Sequence, residues 1–153
     1  EPAGVLQLLD RHARNCTAVA KRLGVPHHEV PFAGVPDAPF EALPIVRNRW
    51  WKEIALWWPE RRVLVAADAL GTSPLYLAPG DRLAVHPILR FRPPRRLRGL
   101  DPQHVLSGHG SGIHGDETPA AFREALATAR RRIPGQLAAA VRVGREQRRA
   151  ARR

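Results

Sequence analysis

Two apolar runs of the sequence each lead to a polar side chain that can bind a metal. Residues 63–67 end at Asp68, and residues 105–108 lead to His109, with a glycine-containing turn after each. We interpret each apolar run as a strand that is buried on both faces. The pattern therefore predicts an α/β domain in layers, with the groups of a site at two strand ends.

These segments resemble the metallo-β-lactamase fold, whose hydrolases carry a bridging aspartate and a late histidine at such strand ends. The matching motifs are Ala67-Asp68-Ala69 and Ser107-Gly108-His109-Gly110. Residues 54–63 are similar to the family's hairpin that leads into the aspartate, with a polar turn between two apolar strands. The resemblance covers residues 5–132 and implies an αββα sandwich with a hydrolase-type metal site.

The rest of the family's metal motif is degenerate in this sequence. In the segment that resembles the family's His-x-His-x-Asp-His run, His12 is kept and Arg14 replaces the aspartate. The family's next histidine would fall at residues 48–49, where the sequence has Asn48 and Arg49. Because a guanidinium has no lone pair to offer a cation, a dinuclear zinc centre is not expected.

The resemblance leaves two arrangements of the site open. In the first, His12, Asp68 and His109 hold a single zinc ion, since a catalytic zinc needs three protein ligands and a water. In the second, which we favour, no cofactor is bound, and Arg14 and Arg49 take the place of the lost cations and pair with Asp68. Those two arginines then either bind a phosphate or carboxylate ligand or only neutralise the aspartate.

The chain is strongly basic, with a net charge of +11 from 25 basic and 14 acidic residues. Its arginines concentrate in residues 90–98, 130–132 and 142–153. A surface of this charge attracts nucleic acid or anionic membranes. Since no zinc finger, RNA-binding aromatic motif or helix-turn-helix accompanies the charge, we expect only non-specific association. A GC-rich coding sequence also produces such an arginine bias.

A chain of 153 residues fits one domain. We predict a partial metallo-β-lactamase-like domain over residues 1–143, lacking the family's N-terminal strands because little sequence precedes Val5, and a disordered basic tail over residues 144–153. The single cysteine, Cys16, is typical of a reducing compartment. Since the apolar runs are also too short for a membrane span, we expect a cytoplasmic protein.

Local patterns predict the remaining elements. They indicate a helix over residues 13–23, a loop over 33–44, strands over 45–58 and 62–67, and a helix over 120–132. We expect Pro134-Gly135 to stop the last helix.

Three functions of different classes follow. The one we favour is a metallo-β-lactamase-fold protein with a degenerate metal centre that is non-catalytic or binds a small anionic ligand. The first alternative is a mononuclear zinc hydrolase that acts on an ester, thioester or phosphoester. The second alternative is a basic module that associates with nucleic acid.

Overall fold

The structure is a computed structural model that describes residues 1–13 and 15–151. It has an α+β fold, in which helices pack beside a mixed five-stranded sheet. The helices of the described residues are α1 (Cys16–Leu23), α2 (Thr118–Thr128) and α3 (Ile133–Ala150). The α+β layering predicted from the sequence is confirmed at this level.

The strands of the described residues form one large sheet and two small ones. The large sheet has the order β3-β4-β5-β8-β9, and the small sheets pair β1 with β2 and β6 with β7. The bounds are β1 Val5–Gln7, β2 His27–Glu29, β3 Glu41–Arg47, β4 Lys52–Trp58, β5 Val63–Ala66, β6 Leu70–Gly71, β7 Ala84–Val85, β8 His104–Ser107 and β9 Ile113–His114.

The parallel pairing of β5 with β8 decides where the site lies. In this register Ala66 lies beside Ser107, so the two strands end at the same edge of the sheet. The polar residues that follow them along the chain, Asp68 and His109, are therefore brought to one place. The strands β3 and β9 are the two outer strands of the sheet.

Helix α2 and the segments around it cover one face of the large sheet. Leu64 and Val105 point into this core and are fully buried, as is Phe122 of α2. On the other face, the side chains of Val65 and Leu106 line an open groove, and Leu106 is 43% exposed. The sheet therefore has one fully packed face and one that is partly open.

Three regions differ from the sequence prediction. Strand β3 begins at Glu41, inside the predicted loop, because Pro44 is tolerated in an outer strand with a bulge between Pro44 and Val46. Helix α2 ends at Thr128, before the predicted stop, and Pro134 lies in the first turn of α3, where its missing N–H has no helical partner to lose.

Helix α3 also runs through the segment predicted to be a disordered tail. It continues past Gly144 as far as Ala150, and its exposed positions beyond Gly144 are mostly arginine and glutamine, which favour helix. No described helix is both long enough and apolar enough to span a bilayer.

Candidate functional site

Asp68 and His109 meet at the shared end of β5 and β8, as their positions after two apolar strands indicate. The expectation that these strands are buried on both faces is wrong, because Leu106 and Val65 lie on the partly open face. His109 Nε2 lies 3.1 Å from Asp68 Oδ1. Gly108 allows this approach, because a Cβ at that position would lie 2.8 Å from the carbonyl oxygen of Ala67. The glycine therefore lets the two turns pack backbone to backbone.

The segment after β1 brings two more side chains to Asp68. Leu9 forms an antiparallel bridge with Glu53 at the start of β4. The chain then turns, and Arg11 Nη2 lies 3.4 Å and His12 Nε2 3.6 Å from Asp68 Oδ2. One carboxylate is thus surrounded by a guanidinium and two imidazoles.

The carboxylate lies beneath its basic neighbours. The side chain of Asp68 is 7% exposed, whereas those of Arg11 and His109 are each 37% exposed and that of His12 is 50% exposed. A molecule that approaches this site from solvent therefore meets N–H groups before it meets the carboxylate.

Aromatic rings hold the basic groups in place. The guanidinium carbon of Arg11 lies 4.2 Å from the ring centroid of Trp51. The ring of Tyr76 stacks on the ring of His109 with a centroid distance of 5.2 Å, and its hydroxyl donates to the Asp68 carbonyl at 3.0 Å. The rings leave the N–H groups of Arg11 and His109 available to oxygen atoms, and Arg11 Nη2 and His109 Nε2 already contact Asp68.

Glu53 supports the turn from below and is fully buried. Its Oε1 accepts hydrogen bonds from the backbone N–H groups of Asp68 and Ala69, at 2.9 and 2.8 Å. Its Oε2 accepts from the indole N–H of Trp51 at 2.9 Å. Burial raises the pKa of Glu53 to about 7, although the three N–H donors act in the opposite direction.

His86 packs at the back of the site, although no sequence pattern predicted a position for it there. Its ring makes edge contacts with Trp51 and Tyr76, at centroid distances of 4.8 and 5.3 Å. Its Nδ1 accepts from the backbone N–H of Ile88 at 3.2 Å. Burial lowers the pKa of His86, which favours the neutral ring that this hydrogen bond requires. We assign His86 a packing role.

The structure brings together some of the residues singled out from the sequence and separates others. His12, Asp68 and His109 converge. Arg49 instead lies over the exposed ring of Trp50, with its guanidinium carbon 4.2 Å from the ring centroid. Arg14 lies outside the described residues. The guanidinium contact with Asp68 that we assigned to Arg14 and Arg49 is made here by Arg11.

Each carboxylate oxygen of Asp68 already has a basic neighbour. The positive charge of Arg11 lies beside Asp68 Oδ2, the same oxygen that His12 approaches. A guanidinium cannot act as a metal ligand. The other oxygen, Oδ1, is within hydrogen-bond distance of His109. Across residues 1–13 and 15–151, no group of three or more His, Cys, Asp and Glu side chains is placed to hold a metal.

Comparison with family models, with curated proteins and with solved structures finds no match to this chain. The geometry around Asp68 is therefore the basis for assigning a function.

Proposed function

We propose that this chain is a metallo-β-lactamase-like domain in which Arg11 replaces the metal, and that it binds a small anion instead of catalysing hydrolysis. The observation that carries the proposal is the contact of the Arg11 guanidinium with Asp68 Oδ2. The resemblance rests on the hairpin of β4 and β5, the aspartate after β5 and the histidine after the parallel strand β8.

The partly exposed N–H donors around Asp68 are groups that bind anions. Arg11 balances the charge of Asp68, and His12 and His109 add further N–H donors at the same carboxylate. Since the carboxylate is buried and the donors are partly exposed, an incoming phosphate or carboxylate meets the edge of a guanidinium whose carbon lies 4.2 Å from the ring centroid of Trp51. Such an edge matches both groups with paired hydrogen bonds.

A small cavity lies beside Asp68. It has a volume of about 130 Å³ and lies between the segment after β1 and the turns that follow β5 and β8; His12, Cys16 and Gly108 are among its lining residues, but Arg11 is not. The anion therefore binds at the partly exposed guanidinium of Arg11 and not inside this cavity. We favour inorganic phosphate or a short carboxylate, because one guanidinium matches one such group.

Arg11→Ala is expected to weaken phosphate binding by tenfold or more, since a hydrogen bond to a charged group contributes about 1.5–3 kcal/mol. Titration calorimetry with inorganic phosphate measures the affinity. Arg49→Ala is the matched control, because Arg49 lies over Trp50 at the same 4.2 Å distance as Arg11 over Trp51. Equal affinities for the wild type and Arg11→Ala would contradict the proposal.

The zinc content of the protein and the effect of zinc on its Tm distinguish anion binding from the alternative, a mononuclear zinc hydrolase. We expect protein purified without chelator to contain no stoichiometric zinc, and added zinc to leave the Tm of the wild type unchanged. Two results together would contradict anion binding and support the hydrolase: tightly bound zinc in a one-to-one ratio, and zinc-dependent cleavage of an ester that Asp68→Ala abolishes.

A further inference from the structure

Two segments without acidic residues pack against each other on the side of α2. Residues 82–100 and 125–145 contain no Asp or Glu. The Nε of Arg130 donates to the carbonyl oxygen of Phe91 at 2.9 Å, and the buried Arg90 lies 3.4 Å from the carbonyl oxygen of Ala129. The fold therefore joins two arginine clusters that are separate in the sequence.

Six arginines of these two clusters are exposed and have no acidic partner among the described residues. The basic surface consists of Arg92, Arg95, Arg96, Arg98, Arg130 and Arg131. All six are exposed, and none forms an ion pair with a residue that the structure describes. Their charge is therefore available to an external anion.

An apolar groove adjoins the basic surface. It has a volume of about 300 Å³ and runs between residues 98–100 and helix α2. Leu100, Phe122 and Leu126 line it, together with Arg98 and Arg123. Arg123 and Ala127 lie on one face of α2, and Arg130 follows in the turn after the helix ends at Thr128.

An exposed aromatic ring lies at the contact between the two arginine clusters. Phe91 is 64% exposed, and its carbonyl oxygen is the acceptor for Arg130. Its neighbour along the chain, Arg92, belongs to the basic surface. A phenylalanine that is this exposed contributes little to the packing of the domain, but it offers a face on which a flat ring can stack.

We propose that this surface binds single-stranded nucleic acid. Phosphates pair with the unpaired arginines, and unstacked bases lie on Phe91 and in the apolar groove, which is the combination that single strands require. A duplex hides its base faces and leaves the groove and Phe91 without a partner. The apolar floor is recessed between arginines, which suits a chain lying in a groove better than the flat surface of a bilayer. This surface does not include the Asp68 site.

Fluorescence anisotropy of the full chain with labelled single strands of about 15 nucleotides tests the proposal. We compare Arg92→Gln/Arg95→Gln/Arg96→Gln with Arg142→Gln/Arg145→Gln/Arg148→Gln, which removes the same charge from exposed positions of α3. The first variant is expected to bind at least tenfold more weakly, and its log–log salt slope should fall by about 2, since each phosphate contributes roughly 0.7. The α3 variant should bind within threefold of the wild type.

Phe91→Ala tests stacking separately from charge. It should weaken binding by about fivefold or more and leave the salt slope unchanged. Circular dichroism checks that each variant remains folded. If the two triple variants lost the same amount of affinity, binding would depend only on the overall charge of the protein, and the proposal would be overturned. An unchanged affinity of Phe91→Ala, equal binding of a duplex of the same length, or displacement of the strand by phosphatidylserine vesicles would also overturn it.

Discussion

Asp81→Ala is expected to destabilise the protein by about 3–5 kcal/mol, because it leaves the guanidinium of Arg90 buried without a counter-charge. Arg90 is 1% exposed, and its Nη2 lies 3.0 Å from Asp81 Oδ2. The same carboxylate accepts from the backbone N–H of Ala78 at 2.8 Å. Unfolding by urea, followed by tryptophan fluorescence, measures the loss.

Asp101→Ala provides the control for this prediction. Asp101 also pairs with two arginines, Arg62 and Arg123, but its side chain is 54% exposed. Water screens such a pair, so its removal should cost no more than about 1 kcal/mol. Similar losses for the two variants would show that burial does not set the strength of the Asp81 contact.

The Arg90–Asp81 pair is also connected to the candidate site. Arg90 Nη2 donates to the carbonyl oxygen of Tyr76 at 2.7 Å, and Tyr76 stacks on His109. Loss of the pair should therefore loosen Tyr76 and weaken phosphate binding in the fraction that remains folded. Tyr76 thus links the buried Arg90–Asp81 pair to the Asp68 site.

The meeting of Asp68 and His109 was predictable because it depends on local patterns. Each follows a short strand with a buried inner face, and strands that pair in parallel with this register end at a common edge of the sheet. For β5 and β8 to pair in parallel, the segment between them must return to the end of the sheet at which β5 began; this segment contains β6 and β7. The sequence shows no such signal for Arg11, because its contact requires the segment after β1 to reach β4.

Glu53 was not among the predicted site residues, although the strand pattern around it carries a signal. Successive side chains of a strand point to opposite faces, so Glu53 shares the face of Ala55 and Trp57, both of which are buried. A carboxylate on such a face must have hydrogen-bond partners. The partners themselves, the N–H groups after β5, become evident only from the register of β4 with β5.

Glu53→Ala is expected to cost at least about 3 kcal/mol of stability, since each of three buried N–H donors loses its acceptor at about 1–3 kcal/mol. Glu53→Gln should cost less, because its amide oxygen can still accept from Asp68 and Ala69 while its NH₂ group faces the indole N–H of Trp51. Adding Trp51→Phe to Glu53→Gln removes that opposed donor. The double variant should therefore lose less stability than the sum of the two single variants.

The pH dependence of the Glu53→Gln effect tests the environment of the carboxyl group. The pKa of Glu53 is about 7 in the folded protein against 4.5 for the free group, so the folded state binds its proton more tightly. The stabilising contribution is fully present below pH 4.5 and is lost as the pH rises through about 7. The stability difference between the wild type and Glu53→Gln should fall over this range by at most about 1.4 kcal/mol per pH unit. A difference that grows with pH would mean that the three N–H donors outweigh burial and hold Glu53 as a carboxylate.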